Sequence, residues 1–412
     1  MTGLRITLVE FGPAGGLFQF SHQLGSALAG RGHQVELLTG PRPELGSAGP
    51  SFVVRPILPT WHPSARPEPW LWRKLRRVAR AARYVAGWVL IARHVRATRP
   101  DVVQWSSWRF AMDGLFAALI ARAGWAGASV DLCHEPIPLE EQHGSGSMYR
   151  EGFLLQKGLS MGYRSMDSVL TLGASSQATL RAAFGGIARS DIVAHGDEQA
   201  LRGEATPTAP SACGPTVMLF GSLSAYKGID TLLDAWPLVR QSVADARLVL
   251  VGPPSADLDL RQVVTRAGTD NGIDVRPGYV PIGQVGPLFS SARVVAAPYR
   301  RSNASGSVRL AQTFERPVVV TDVGDLTQSV ADGVSGLVVA LDDAGALADA
   351  LIRLLRHPEL ADRLGRAGYD HLRATASWPV VAEGFERIYR EVLDARRSGT
   401  ADRKPGSGLA PQ

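Results

Sequence analysis

Four of the 44 Lys and Arg residues are lysines, and Lys227 among them stands where an anion would be held. In "FGSLSAYKGIDTLLDAW" (220–236) it follows an apolar run and precedes Gly228 and a helical pattern. An ammonium is a compact point charge where a guanidinium is a broad fork. Lysine at such a turn suits a close anion; it equally suits a solvated charge at a helix start. A second candidate lies in "PYRRSNASGSVRLAQTF" (298–314), where Ser305, Gly306 and Ser307 open a helical pattern. A helix start of small residues leaves backbone amides for an anion, or makes an ordinary serine cap. If both turns share a sheet edge, Lys227, Arg300 and the amides of Ser305, Gly306 and Ser307 face one cleft, and a diphosphate suits them.

The turn "FGPAGG" follows the first strand pattern and opens a helix, so Gly15 and Gly16 can bring backbone amides close to a ligand. Its glycine spacing differs from G-x-G-x-x-G, and "VELLTG" ends without the acid that a nicotinamide enzyme needs. His134 closes the strand "SVDLC" and precedes "EPIP", whose prolines hold an extended loop. That loop presents His134 to the cleft, although a lone histidine is more often structural. The spacing of "HEPIPLEEQH" fits no metal-ligand set, and Asp257-Leu258-Asp259 reads as solvated surface, so no metal site is expected.

Such turns need strands behind them. Apolar runs alternate with helical patterns through the chain: "RITLVEF", "GHQVELLTG", "DVVQWSS", "ASVDLCHEP", "MDSVLTLG" and "DIVAHG", then "TVMLFG", "ARLVLVG", "IDVRPGYV", "ARVVAAPY", "PVVVTD" and "GLVVA". This predicts α/β architecture with two parallel sheets, each covered on both faces. "RGEATPTAPSACGP" (202–215) has no periodicity and reads as an interdomain linker. Two such domains form a cleft at the strand C-termini, where ligands bind.

A length of 412 residues allows two to three domains, and 45% hydrophobic with 20% charged residues is the profile of a globular protein. Two cysteines, Cys133 and Cys213, give no disulfide framework, and a reducing cytoplasm is expected. No signal peptide or membrane-spanning run is read. The net charge of +6 is concentrated: residues 73–99 hold nine Arg or Lys and no acid, with Trp88 and Tyr84 among them. That stretch reads as a solvated helix face or as a basic surface for anionic lipid headgroups at the inner membrane surface. No nucleic-acid module accompanies it.

These residues together resemble the family 4-type glycosyltransferases of the GT-B fold. The likeness runs through "LGSALAGRGHQVELLTG", "HEPIP", "DSVLTLGASSQATL", "FGSLSAYKGIDTLLDAW", "GYVP" and "RPVVVTDVGDL", in order along nearly the whole chain. It implies two Rossmann-like domains, an acceptor-side one over 1–205 and a nucleotide-sugar donor one over 206–376. A helix over 377–397 would return to the first domain, and a tail over 398–412 would be disordered. The implied activity is hexosyl or related transfer from a nucleotide diphosphate sugar to a hydroxyl or amine of a small molecule, glycan or lipid-linked acceptor, with retention. The resemblance implies no catalytic metal and no cofactor. Lys227 and the glycine turn would contact the donor diphosphate, His134 would lie near the donor sugar, and Gly278, Tyr279 and Val280 would lie near the nucleobase. The family's Glu-x7-Glu pair falls on Ser302 and Leu310, and its arginine before the lysine is missing. Arg300 is the expected substitute. Two alternatives stand beside that activity: a binding protein without catalysis, suggested by the missing glutamates, and a pseudo-glycosyltransferase acting on a cyclitol-like substrate through the same site.

Overall fold

The structure is a computed structural model that describes residues 3–59, 70–106, 108, 110–136, 153–202, 207–268, 271–302 and 305–401. The first half runs β1 (Arg5–Val9), α1 (Gly16–Gly30), β2 (Gln34–Leu38), β3 (Phe52–Arg55), α2 (Trp70–Thr98), β4 (Val102–Trp105), α3 (Ala111–Arg122) and β5 (Ala128–Cys133). It continues through α4 (Phe153–Arg164), β6 (Ser168–Thr171), α5 (Ala174–Ala183), β7 (Ser190–Ile192) and α6 (Gln199–Arg202). The strands are short, almost wholly buried apolar runs such as "VVQW" and "SVLT", which is how a sheet covered on both faces reads. They pair in parallel in the order β3-β2-β1-β4-β5-β6-β7.

The second half repeats the plan: β8 (Thr216–Phe220), α7 (Ile229–Ser242), β9 (Arg247–Gly252), α8 (Leu260–Ala267), β10 (Ile273–Pro277), α9 (Ile282–Ser291), β11 (Val294–Ala297) and α10 (Gly306–Thr313). Then come β12 (Val318–Thr321), β13 (Leu337–Val339), α11 (Ala344–Arg356), α12 (Pro358–Ala376) and α13 (Trp378–Ala401). Its parallel sheet is ordered β10-β9-β8-β11-β12-β13. In each sheet the strand order reverses once, between β1 and β4 and between β8 and β11. Those switch points open a crevice at the strand C-termini. They put the Gly15 turn at one crevice and the Lys227 and Ser305 turns at the other.

Apolar clusters fill both faces of each sheet. The last helix joins the core of the first sheet, where Trp378, Phe385, Ile388, Tyr389 and Val392 pack with Leu8, Phe18, Phe20 and Leu24. α13 therefore crosses back, and it continues to Ala401, past Ser398 where a disordered tail was expected. Residues 402–412 lie outside the described residues. The expected linker differs as well. From residue 207 it is pinned to the second half: Arg293 donates to the carbonyls of Pro210 and Cys213, Arg316 to that of Thr208, and Ser211 N to Asp362. Residues 203–206 lie outside the described residues.

Candidate active site

The end of β8 organises the first part of the site. Gly221 has φ 99°, and a β-carbon there would stand 2.6 Å from Lys227 Nζ and 2.9 Å from Ser307 Oγ. Glycine thus opens the space through which both groups donate to the Phe220 carbonyl, at 2.9 and 3.0 Å. Lys227 ends a 3-10 turn, Ala225–Lys227, and Gly228 follows in the left-handed region at φ 65°. A side chain on Gly228 would strike the Pro298 carbonyl at 2.0 Å, so the Lys-Gly pair is a steric requirement of this turn. Asp257 braces the turn by accepting from Ser224 Oγ at 2.7 Å and Ala225 N at 3.2 Å. It is not solvated surface: the helix expected there begins at Leu260, and Asp259 is its cap.

Lys227 is only 4% exposed, and its Nζ lies 5.2 Å from the ring centre of Tyr299. Burial pushes the Tyr299 hydroxyl up, but the Lys227 charge and hydrogen bonds with Ser305, Ser307 and Lys227 outweigh it and hold the group below its ordinary 10. Ser305 caps α10, its Oγ accepting from Val308 N at 3.3 Å. Buried Lys227 and Tyr299 and the half-buried Ser305 and Ser307 therefore form one polar cluster at a helix N-terminus. Arg300 does not join it. Its guanidinium donates to Asp230 at 2.8 Å and Asp342 at 2.6 Å. The expected substitute cation is thus held by two acids away from the Lys227 cluster.

Across the cleft, the Gly15 amide at the start of α1 donates to Glu44 Oε2 at 3.2 Å, and Gln19 Nε2 donates to the same oxygen at 3.0 Å. The other oxygen, Glu44 Oε1, accepts from Tyr279 Oη at 2.7 Å, which joins the two halves. Burial and then Glu44 push the Tyr279 phenol up to about 12. Gly278, Tyr279 and Val280 border a cavity of about 450 Å³ with Val251, Arg276 and Leu288. Its volume suits a small planar ligand group.

His134 follows β5 and stands edge-on to Phe20, ring centres 5.2 Å apart. His195 meets the same ring at 5.3 Å. Burial drives His134 down to about 3 and His195 to about 4, so both are neutral near pH 7. His134 Nε2 is sealed from solvent without a hydrogen-bond partner. His195 Nε2 lies 3.9 Å from where a β-carbon of Gly306 would be. Beyond it, Glu198 N donates to Thr313 Oγ1 at 3.1 Å, and Gln23 Nε2 donates to Glu198 at 2.9 Å. Burial pushes the Glu198 carboxyl up to about 7. Asp325 of the second half caps α5 of the first, accepting from Ser175 N, Ser176 N and Ser176 Oγ at 2.9, 3.2 and 2.9 Å.

Of the residues selected from sequence, Lys227, Ser305 and Ser307 come together, Gly306 faces His195, and Gly15 and Tyr279 meet through Glu44. Gly16 is the first residue of α1. The reading missed Tyr299, Glu44, His195 and Glu198, which carry no motif of their own. Asp257 had a signal: an acid just before a helix pattern is a cap or a brace.

Residues 14–196 match the family described as Glycosyltransferase Family 4, and residues 214–357 match Glycosyl transferases group 1. A D-inositol 3-phosphate glycosyltransferase of Frankia alni is 34% identical over 189 residues, 44% of this chain and 46% of that protein. The chain matches about half the length of such curated relatives. Sucrose-phosphate synthase from Thermosynechococcus elongatus superposes with a TM-score of 0.71 at 20% identity, covering 95% of this chain and 99% of the other. Anabaena HepE, solved in complex with UDP-glucose, has a TM-score of 0.66 at 15% identity, covering 95% and 100%. The two facing Rossmann-like sheets, the returning helix and these matches across both halves place the chain among the family 4-type glycosyltransferases of the GT-B fold.

Proposed function

We propose that the protein transfers a sugar from a nucleoside diphosphate sugar to an acceptor hydroxyl or amine, with retention and without a metal ion. The observation that carries this reading is the convergence of Lys227 Nζ and Ser307 Oγ on the Phe220 carbonyl, beside the N-terminus of α10. When the bond between sugar C1 and the phosphate oxygen breaks, its electron pair stays on the leaving diphosphate. An ammonium and helix amides fixed beforehand favour that charge, and so act on the transition state. In retention the acceptor attacks the face that the diphosphate leaves, and its proton passes to the leaving oxygen. The name of HepE, solved with UDP-glucose, supports a nucleotide sugar as donor. Incubation with UDP-, GDP- and ADP-sugars, reading nucleoside diphosphate release, tests the proposal. A protein that binds these donors and releases nothing, with or without acceptors, refutes it.

A second reading, binding without catalysis, is favoured by one observation. Leu310 lies in the apolar core and Ser302 is 6% exposed, so neither of the positions where the family carries its glutamates offers a carboxylate. The release assay separates the two, and product analysis separates both from transfer to or from a cyclitol. The acceptor side extends over α2, whose Val78, Val85 and Val89 are exposed at 69%, 46% and 51%. They share one helical face, with Arg80, Arg83 and Arg93 on the same helix. We propose that this face touches anionic membrane where a lipid-linked acceptor resides. Among the described residues no helix is long and apolar enough to cross a membrane.

A further inference from the structure

A leaving nucleoside diphosphate carries at least two negative charges. Lys227 supplies one positive charge, and the N-terminus of α10 about half of one. A second cation is needed, and three arginines stand near the turn that precedes α10. Arg300 is ion-paired with two carboxylates, at 2.8 and 2.6 Å. Arg301 is acted on by the charge of Asp257. Arg309 differs: its Nη1 is closed off from solvent and has no hydrogen-bond partner, while the side chain as a whole keeps partial exposure.

The position of Arg309 is fixed by its helix. Side chains of an α-helix lean toward its N-terminus, so a guanidinium at the fourth residue of α10 lies over the first turn. That turn holds Ser305, Gly306 and Ser307. Gly306 and Arg309 are three residues apart and share a face, and Gly306 faces His195 Nε2. Lys227 reaches the same turn from the other flank, through Ser307 and the Phe220 carbonyl. The acid that acts on Arg309 is Asp197, and its carboxylate is bonded to Arg373 at 3.0 Å. His195 beside it is neutral, driven down to about 4 by burial and then by the Arg309 charge. A guanidinium carries five N–H donors in a fork matched to phosphate oxygens. Burying one without a partner is costly, and a bound anion relieves the cost.

We infer that Arg309 is the second cation of the donor site, the N–H groups of its unpartnered Nη1 taking phosphate oxygens of the diphosphate that Lys227 faces from the other side of α10. This rests on the nucleotide-sugar reading above and specifies the residue that completes it.

Titration calorimetry with UDP, GDP, ADP and their monophosphates tests it. The diphosphate that binds the wild type best should bind Arg309→Gln about 10- to 100-fold more weakly, with the monophosphate changed less than threefold. Arg309→Lys should recover part of the loss. Thermal melting of the free protein guards against misfolding: removing a cation whose sealed Nη1 has no partner should leave Tm unchanged or higher, whereas a merely structural arginine would lower it. Equal diphosphate affinity in wild type and Arg309→Gln overturns the assignment. So does an equal loss in Arg300→Gln, or a lower Tm accompanied by equal losses for mono- and diphosphate. If the wild type binds none of the diphosphates, the donor reading itself falls and takes this assignment with it.

Discussion

Replacing Lys227 by alanine separates two quantities that a single activity assay would merge. Lys227 is almost fully buried and bonded to a backbone carbonyl, so its removal affects folding as well as chemistry. A hydrogen bond made by a charged group contributes roughly 1.5–3 kcal/mol. The low end applies here, because Phe220 O keeps its bond from Ser307 Oγ and is not orphaned. A loss of about 1.5 kcal/mol lowers Tm by about 3–6 °C in a domain of this size, well inside the usual reserve of about 5–15 kcal/mol. Most of the protein is therefore still folded at 25 °C. The chemical loss is larger: removing one preorganised group facing developing charge costs about 10²–10³ in turnover, or roughly 3–4 kcal/mol. Turnover at saturating donor, read as diphosphate release, should fall by that factor while circular dichroism stays native. Lys227→Arg should recover only part, because the wider fork must enter the space beside Gly221 that admits an ammonium. A folded Lys227→Ala protein within threefold of wild-type turnover would refute the electrostatic role.

Three further outcomes follow from the geometry. Glu44 holds its carboxylate on the Gly15 amide, where the donor diphosphate is proposed to lie. Glu44→Gln should tighten nucleoside diphosphate binding about fivefold, as expected for removing a like charge worth ~1 kcal/mol at a rim; weaker binding in calorimetry would assign Glu44 to the ligand instead. The Glu198 carboxyl, raised from 4.5 to about 7 by burial, binds its proton more tightly folded than unfolded. Its contribution is present below pH 4.5 and is lost as pH rises to about 7, up to roughly 3 kcal/mol. The depressed His134 and His195 act oppositely, weakening the fold as pH falls below 6.5 toward about 3 and about 4 respectively. The Glu198 effect is thus read as a difference: Tm of Glu198→Gln minus wild type should grow between pH 5 and 7.5, and a flat difference would show that the carboxyl titrates normally. The α2 face should bring the protein down with anionic vesicles at low salt and release it at high salt; equal recovery with neutral vesicles would remove that contact.

The sheets were readable because a strand buried on both faces is a short apolar run whatever its neighbours, as "VVQW" and "VVVT" illustrate. β3 and α12 were harder. β3 is four residues at a sheet edge, and the buried stripe of α12, Leu360, Leu364 and Leu372, is diluted by charges at every turn. At the site, sequence spacing brought Lys227 and the Ser305 turn together because both follow strands flanking one switch point. It did not show the two acids that hold Arg300, for a physical reason. Proximity along the chain does not show which acids arrive from elsewhere, and Asp342 and Asp230 come from 42 and 70 residues away. The same limit hid Glu44, His195 and Asp325, each of which meets a residue of the other half: Tyr279, Gly306 and Ser176 respectively.

Those cross-cleft partners meet on one short helix. One flank of α10 carries Ser307 to the Phe220 carbonyl and Lys227. The other carries Gly306, Arg309 and Thr313 toward His195, Asp197 and Glu198 of the first half. An anion at the N-terminus of α10 would then draw on both flanks, and on the first half as well through Arg309 and His195. Holding the diphosphate and holding the two domains together become the same set of contacts. A donor whose leaving charge grows in the transition state would strengthen closure at the moment when water must be kept out. That coupling needs no glutamate at 302 or 310, so the loss of that pair and the retention of a working cleft are compatible in one chain.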